Sequence, residues 1–508
     1  MTSEKIFVNG NFYTLDSAGT QVEALAVRNE RITALGSIDD VRAAAGKGVQ
    51  EIDLGGKTVI PGCSDTHCHL MTHGLSCTLM ADLSDSDSIE EIQNRLRSHK
   101  EKNPDIKWII GERFDQELFA EGRWMTREDL DKVSRDVPVF AVRLCRHAIV
   151  ANTAALMPVR DKLTKEQWES GKLTEDDTDL VWSQVPECTE EELERAAVYG
   201  LNDARRVGLT SVHCQFNSVE HLKVIRRLHS EGKLPVRVRF QWPYELMDVL
   251  VNEGLKTGTG DDYLKVGSIK IFMDGSLGAR TAAMCEDFSD DPGNRGDLLK
   301  SDEELSKMLV NIQRNEFQAA IHAIGDRAIS TTLRAIEMAM PEGNQSNRLR
   351  HRIEHIAQVS PEIIADMVRL DVIASIQPQF VITDFWSEQR VGPERYRYMY
   401  PFKTMLEAGI KIGMGSDCPV ERIDVMELVH RAVNREPKSL SERLTVDEAL
   451  RGYTYGSAYA GFEENDKGSL ELGKLADFLV LSDDPYKVDP SQLDNIKPLN
   501  AVIGGRMQ

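Results

Sequence analysis

The chain has 508 residues, of which 41% are apolar and 28% charged, values typical of a folded globular protein and not of a disordered or fibrous one. Its 82 Asp and Glu outnumber its 61 Lys and Arg, and the formal charge of −21 repels nucleic acid and anionic membrane surfaces. This length permits two or three domains, or one large barrel with additions. We therefore expect a globular protein that has neither a nucleic-acid nor a membrane partner.

The eight cysteines are scattered along the chain and form no CxxC pair, a pattern typical of reduced thiols. The segment MTSEKIFVNGNFYTLD lacks the basic and apolar regions of a secretion signal. No stretch approaches the roughly 18 uninterrupted apolar residues of a membrane helix. These features predict a cytoplasmic protein without a structural zinc site made of cysteines.

The two ends of the chain contain short strand-like runs separated by turn residues. An Asn-Gly turn at residues 9–10 and an Asn-Glu pair at residues 29–30 lie between apolar runs, which favours a small antiparallel sheet. The C-terminal segment repeats this pattern in GSLELGKLADFLVLSDDPY and NAVIGGRM. We predict that residues 1–57 and 466–508 pair into one composite β-sandwich domain.

The sequence between the two ends alternates short β-branched runs with helical patterns of roughly 10 to 20 residues, as in repeated βα units. The runs are TVIPGCSDTH from Thr58, LTSVHCQ from Leu209, VRVRFQW from Val236, SIKIFMDG from Ser268, FQAAIHAIG from Phe317, RHRIEH from Arg350, VIASIQP from Val372 and KIGMGSD from Lys411. Eight is the number of strands in a closed barrel. We predict an α/β fold, with a (β/α)8 TIM barrel over residues 58–465.

Helix signals are present between the runs. Thr189 with Glu192 predicts a capping box for a helix that stops at Gly208, and Ser360 followed by Pro361 predicts another helix start. About 120 residues separate the first run from the first of these helices, too many for an ordinary barrel loop. We predict an inserted subdomain at about residues 78–188, and its later part, from Thr174 to Glu194, is acidic and polar and suits a solvated or mobile cover.

Polar residues occur near the predicted strand ends, where barrels of this type carry their chemistry. They are His67 and His69 on the first strand, Lys270 with Asp274 on the fourth, His322 on the fifth, Glu354 and His355 on the sixth, and Asp417 on the eighth. Residues two apart on a strand face the same side, so His67 and His69 can hold one ion. Imidazole and carboxylate ligands suit zinc, and also manganese, iron or nickel.

Each of these residues also has an ordinary structural explanation. His322 could be a core histidine held by hydrogen bonds, and His355 could belong to an ordinary salt-bridged strand. Asp417 could be a turn residue or the N-cap of a helix. Lys270 is the least expected, because a buried ammonium costs desolvation energy. Either Lys270 pairs with Asp274, or a depressed pKa lets its amine add carbon dioxide and form a carbamate. Their coincidence at the strand ends favours a metal site.

The motifs IPGCSDTHCHL, KIFMDGSLGART, IHAIGDRA, RIEHIAQ and GSDCPV, with the closing LELGKLADFLVL, resemble the amidohydrolase superfamily. Within it they are similar to the YtcJ-like branch, also called amidohydrolase 3, which includes N-substituted formamide deformylase. The resemblance covers nearly the whole chain and implies a two-metal centre. The implied metal ligands are His67 and His69 for one ion, His322 and His355 for the second, Lys270 as a bridging carbamate, and Asp417 on the first ion.

The resemblance also implies residues outside the metal ligands. His147 is placed near the substrate and Asn152 in a local structural role, and Arg280 is a further candidate for orienting the substrate. The alternatives are a surface position for His147 and a loop-holding carboxylate partner for Arg280. Two departures from the family pattern bear on substrate identity, namely Arg146 in place of an acidic residue and the His-Cys-Gln end of the second strand at residues 213–215.

The implied activity is hydrolysis of a carbon–nitrogen bond, other than a peptide bond, in a small molecule. One or two divalent ions per chain, with zinc as the first expectation, would activate a water molecule to hydroxide. The carbamate on Lys270 would be formed from carbon dioxide. Asp417 would move the proton to the leaving nitrogen, and His147 would orient the substrate. A lactonase or esterase, a deaminase, and a non-catalytic binding protein on the same scaffold are the alternatives. A homodimer is a possible oligomeric state of the chain.

Overall fold

The computed structural model describes residues 4–46, 48–144, 148–340, 347–435 and 437–507. The chain divides into two compact units. One consists of Met1–Leu70 with Leu201–Gln508, and the other of Met71–Gly200. None of the helices in the described ranges combines the length and apolarity that a bilayer crossing requires.

The strands follow in chain order. The N-terminal segment contributes β1 (Lys5–Val8), β2 (Asn11–Tyr13), β3 (Gln21–Val22), β4 (Ala24–Arg28), β5 (Arg31–Gly36), β6 (Gln50–Asp53), β7 (Thr58–Pro61) and β8 (Cys63–Cys68). The second unit contributes β9 (Ala81–Asp82), β10 (Ile109–Phe114), β11 (Val139–Arg143), β12 (Ala148–Ala151) and β13 (Lys172–Thr174). The remaining strands are β14 (Leu209–Gln215), β15 (Arg237–Pro243), β16 (Leu264–Phe272), β17 (Gln318–Ala323), β18 (Arg352–His355), β19 (Ile373–Ile376), β20 (Ile412–Met414), β21 (Phe478–Leu481), β22 (Pro498–Ile503) and β23 (Arg506–Met507).

The helices lie between these strands. In the first half of the chain they are α1 (Ile38–Ala45), α2 (Leu70–Leu79), α3 (Ile89–Lys102), α4 (Arg127–Asp131), α5 (Thr153–Leu156), α6 (Lys165–Ser170), α7 (Asp179–Trp182), α8 (Glu190–Arg206), α9 (Val219–Ser230) and α10 (Met247–Asn252). In the second half they are α11 (Asp302–Arg314), α12 (Asp326–Ala339), α13 (Pro361–Arg369), α14 (Phe380–Thr383), α15 (Ser387–Tyr396), α16 (Phe402–Glu407), α17 (Val425–Val433), α18 (Val446–Arg451) and α19 (Ser457–Ala460).

The predicted barrel is confirmed. Eight strands pair in the order β20-β19-β18-β17-β16-β15-β14-β8, and each of these neighbouring pairs is parallel. Backbone hydrogen bonds just beyond β20 join its end to β8, from the amide of Asp417 to the carbonyl of His67 and from the amide of His69 to the carbonyl of Cys418, both at 2.7 Å. The carboxyl ends of all eight strands therefore meet at one face, where the candidate ligands lie.

The run from Thr58 is two strands and not one, which corrects the sequence prediction. Thr58–Pro61 pairs with β2 and with β21, so it belongs to the sheet built from both chain ends, whereas Cys63–Cys68 is the first barrel strand. Gly62 separates them, and a Cβ atom there would collide with the side chain of Thr210. A glycine is needed at this position because the chain passes from one sheet to the other against β14.

Two further sheets contain the terminal strands, with the orders β5-β4-β1-β6 and β23-β22-β21-β7-β2-β3. The small antiparallel sheet expected for the N-terminal strands is instead divided between these two sheets, and it is not wholly antiparallel, because β1 runs parallel to β6. Phe7 of β1 and Phe12 of β2 contact Phe478 edge-on, with ring centroids 5.0 Å and 6.1 Å away. The chain changes sheet at residues 9–10 because its flanking aromatic residues enter one shared core. The β4–β5 hairpin forms, with positive φ angles in its turn.

The unit Met71–Gly200 has its own five-stranded sheet, in the order β13-β12-β11-β10-β9, and its own hydrophobic core. Asn152, predicted to have a local structural role, is fully buried and is the N-cap of α5. Its side-chain oxygen accepts from the amides of Val139 and Ala155 at 2.9 Å, and its amide nitrogen donates to the carbonyl of Ser134 at 2.8 Å. The predicted caps also form, at Thr189 with Glu192 and at Ser360.

Candidate metal centre

His67 lies in β8 and His69 directly follows the end of this strand, and the two-residue alternation turns both imidazoles to one side. Nε2 of His67 and Nε2 of His69 each lie 3.2 Å from Oδ1 of Asp417. The thiol of Cys68 lies instead against the carbonyl of His213. His67, His69 and Asp417 thus offer ligand atoms that are all within 4.8 Å of one another.

Asp417 reaches these histidines from the loop after β20, and Asp65 holds that loop in place. Asp65 is fully buried, and its carboxylate accepts from the amide of His67 at 2.9 Å and from the hydroxyl of Ser416 at 2.6 Å. A Cβ on Gly415 would lie 2.7 Å from the amide nitrogen of His67, so the loop approaches β8 as closely as glycine allows. Sequence reasoning missed Asp65, although its place two residues before His67 puts it in the same alternating series.

His355 and His322 extend the cluster. The ring centroid of His355 is 5.2 Å from that of His67 and 4.4 Å from that of His322. His322 donates from Nε2 to the carbonyl of Gly275 at 3.0 Å, the kind of partner that a core histidine has. His355 has no carboxylate partner within 4.0 Å in the described part of the chain, and its buried Nδ1 lacks a hydrogen bond there. The strand is salt-bridged, as the alternative had it, between Arg352 and Glu354 at 2.8 Å, but His355 takes no part in that pair.

Lys270 is buried at the end of the barrel interior, and its Nζ has no hydrogen-bond partner among the described residues. Asp274 does not pair with it. The carboxylate of Asp274 instead accepts from the amides of Ala283 and Gly325 at 2.9 Å, and so connects the loop after β16 to the start of α12. The predicted alternative of a Lys270–Asp274 salt bridge is wrong, because Asp274 lies beyond the strand end among backbone donors.

Burial sets the protonation states of the cluster. It lowers the pKa of Lys270 to about 8. Burial, together with the charge of Lys270, lowers the pKa of His322 to about 3, and it holds the pKa of His67 and His355 below the ordinary value. Burial alone would raise the pKa of Asp417, but hydrogen bonds from His67 and His69 hold it well below the usual range. His67, His322 and His355 are therefore neutral imidazoles and Asp417 is an ionised carboxylate, the forms that bind a cation.

The residues present fit a divalent cation. Two imidazole nitrogens and one carboxylate oxygen converge, and this donor set suits zinc and its neighbours among the transition metals. The buried Nδ1 of His355 and Nζ of Lys270 both lack partners among the described residues. Buried polar atoms without partners are costly, and an ion or a modification is one explanation for them.

The predicted substrate residues are less informative. Arg280 donates from Nε and Nη2 to the carboxylate of Asp290 at 3.1 and 2.8 Å, which is the loop-holding alternative considered from the sequence. His147 and Arg146 lie outside the described residues. His213 is buried in the barrel, where its Nδ1 accepts from Arg352 at 2.8 Å. The end of the second strand is therefore tied into a buried charged network.

Comparison with known proteins gives matches over nearly the whole chain. The Amidohydrolase family matches residues 50–507. The chain is 32% identical to the YtcJ protein of Bacillus subtilis (strain 168), over 99% of this chain and 98% of that protein, and 26% identical to N-substituted formamide deformylase of Arthrobacter pascens, over 98% and 97%. The structure is similar to the crystal structure of an uncharacterized metal-dependent hydrolase from Pyrococcus furiosus, with a TM-score of 0.84 and 32% identity over 95% of this chain and 100% of that one.

Proposed function

This chain belongs to the amidohydrolase family, and we propose that it hydrolyses a carbon–nitrogen bond, other than a peptide bond, in a small molecule in the cytoplasm. One observation carries the proposal. His67, His69 and Asp417 converge at the carboxyl-terminal face of the barrel, where enzymes of this fold carry their chemistry. The similarity to a formamide deformylase over nearly the whole chain supports the carbon–nitrogen bond as the target.

The residues have distinct roles in this proposal. His67, His69 and Asp417 would hold one cation, and His322 and His355 a second. A bound divalent cation, with zinc as our first expectation, lowers the pKa of a water molecule towards neutrality and polarises a carbonyl group. The Asp417 carboxylate would accept a proton at one oxygen and return it to the leaving nitrogen, which requires it to be within hydrogen-bond distance of both positions.

Lys270 would contribute as a carbamate. Its neutral amine would attack the carbon of carbon dioxide and lose one proton, which leaves two oxygens as ligands in place of the amine. The support for this step is the burial of Nζ and its lack of a hydrogen-bond partner among the described residues. Mass spectrometry of the intact protein under non-denaturing conditions should show the added carbon dioxide, and Lys270→Met should lack it.

The proposed function is tested by metal analysis with a panel of formamides, N-acyl amino acids, lactones and aminopurines. We expect one or two ions per chain and hydrolysis of a formamide or N-acyl compound, lost with a chelator and restored by zinc. His67→Asn should lose both metal and hydrolysis, whereas His229→Asn, at a partly exposed site paired with Asp261, should keep both. Hydrolysis of lactones or aminopurines alone would contradict the amide assignment, and a metal-free inactive protein would favour a binding role.

A further inference from the structure

Glu354 lies next to His355 but is not among the ligands proposed above. It is fully buried near the end of β18. Its Oε2 is 3.4 Å from Nδ1 of His67, while its Oε1 accepts from Nε of Arg352 at 2.8 Å. The imidazole of His67 therefore lies between two carboxylates, with Nε2 towards Asp417 and Nδ1 towards Glu354.

The two atoms that face each other, on His67 and Glu354, are a possible hydrogen-bond donor and acceptor. Nδ1 of His67 and Oε2 of Glu354 are both buried, and neither has a hydrogen-bond partner among the described residues. Their separation of 3.4 Å is slightly longer than an ordinary N–H···O bond, which is about 2.9 Å, so a small ring rotation would close it. A buried donor and acceptor that face each other unpaired cost free energy that a hydrogen bond between them removes.

Arg352 keeps Glu354 from turning elsewhere. Its Nη2 donates to the carbonyl of Thr66 at 2.9 Å, the residue that precedes His67, and its Nη1 donates to Nδ1 of His213 at 2.8 Å. Every nitrogen of the guanidinium is thus engaged, and the group is almost completely buried. Arg352 therefore sets the distance between Glu354 and the strand that carries His67.

The tautomer of His67 follows from this arrangement. A neutral imidazole has one N–H and one lone pair, and only the lone pair binds a metal. We propose that Glu354, held by Arg352, is a positioning residue that accepts the Nδ1 proton of His67 and so presents the Nε2 lone pair to the cation. This inference rests on the proposed function, because it requires that His67 be a ligand. Partners of this kind fix ligand orientation in many metal sites.

Glu354→Gln tests the inference, because Arg352 determines which way the side-chain amide of the new glutamine is oriented. The guanidinium needs an oxygen, so the amide NH2 group must face His67. That donor forces Nδ1 to be the acceptor and places the proton on Nε2. We expect cobalt(II), used as a visible probe, to bind about 10- to 100-fold more weakly and with an altered absorption spectrum. Glu354→Asp keeps an acceptor and should recover part of the affinity.

The matched control is Glu463→Gln. Glu463 is also a buried carboxylate, paired with Lys467 at 2.7 Å and Lys265 at 3.0 Å, away from the candidate ligands in sequence. Cobalt binding should be unchanged in this variant. Equal weakening in both variants would show a general effect of removing buried charge and would overturn the inference.

Two further outcomes separate the inference from the proposed function. If the unaltered protein binds no cobalt, both are wrong. If it binds cobalt and Glu354→Gln binds it equally well, only the role of Glu354 is wrong. If Glu354→Gln does not fold, ¹⁵N spectra of histidine-labelled, metal-loaded protein decide the point. The signals of His67, assigned through correlations within its own labelled ring and to its backbone amide, must then show a protonated Nδ1, and a protonated Nε2 would overturn the inference.

Discussion

Asp417 shows how single residues acquire their roles in this site. Its backbone is in the left-handed region, with φ of 60°, and this turn directs the carboxylate back to the histidines of β8. His355 also has a positive φ, of 76°. Left-handed geometry in non-glycine residues costs about 1–3 kcal/mol and is concentrated at functional sites. At the residue scale, the site is thus made by strained backbone positions supported by hydrogen bonds such as those of Asp65.

We expect Asp417→Asn to lower kcat by about 10²- to 10⁴-fold, because an amide cannot accept and return a proton. Most of the bound metal should remain, since the histidines and the amide oxygen are still present. Measurement of turnover together with metal content per chain checks this. Asp477→Asn is the control, because it removes another buried carboxylate, paired with Arg237 at 2.7 Å. Unchanged turnover in Asp417→Asn would show that Asp417 moves no proton.

At the scale of elements, a polar side chain at the start of a strand adds to the backbone hydrogen bonds that pair the strands. His351 lies just before β18, and its Nδ1 accepts from the amide of Ala319 in β17 at 3.0 Å. Its Nε2 is 3.2 Å from the side-chain amide of Gln313 in α11. Burial, with a smaller contribution from Arg348, lowers the pKa of His351 to about 4. The element contacts around β18 therefore require a neutral imidazole.

This requirement predicts a pH dependence of stability. The unfolded state binds the proton at a pKa near 6.5 and the folded state only near 4, so the contribution of His351 is complete above pH 6.5 and is lost as the pH falls towards 4. The full difference corresponds to about 3 kcal/mol. Urea unfolding of chelator-treated protein between these pH values should show a shallower pH dependence in His351→Gln than in the unaltered protein.

Gln318→Leu is the control for this measurement, because it removes a buried polar side chain of β17 that carries no ionisable group. Its pH dependence of unfolding should match that of the unaltered protein. A curve for His351→Gln that runs parallel to that of the unaltered protein would show that this imidazole is already free to take up a proton in the folded state.

At the scale of the whole molecule, the chain consists of two units that each have a hydrophobic core. The proposed ligands all belong to Met1–Leu70 with Leu201–Gln508. Four of the six tryptophans, Trp108, Trp124, Trp168 and Trp182, belong to Met71–Gly200. A ligand that binds only the folded form of one unit stabilises that unit. Metal and fluorescence therefore report on different parts of the chain.

We expect metal removal to destabilise only the unit that contains the ligands. In a Trp242→Phe, Trp386→Phe double variant, tryptophan fluorescence, excited at a wavelength that tyrosine does not absorb, arises from Met71–Gly200 alone. Zinc at about 100 times its Kd should stabilise the other unit by about 2.7 kcal/mol, seen as a higher calorimetric Tm. The fluorescence midpoint should stay the same with and without chelator. A parallel shift of both signals would mean that the units unfold together.

Much of the fold was predictable because its signals are local. Each barrel strand is a short β-branched run, and the pairing of His67 with His69 follows from the two-residue alternation within one strand. The caps at Thr189 and Ser360 depend on neighbours three residues away. The remaining candidate ligands were identified from the motifs that resemble the family. These features are properties of contiguous segments, so the sequence alone was enough to predict them.

The tertiary structure decided what depends on distant parts of the chain. Asp65 meets Ser416 across 351 residues, and Glu354 faces His67 from a barrel strand that does not pair with β8. The sequence likewise did not show that Nζ of Lys270 lacks a hydrogen-bond partner among the described residues, or that the run from Thr58 is divided between two sheets. All of these features have the same physical reason. Which buried polar atom finds a partner is set by barrel closure, and closure brings together strands that no local pattern connects.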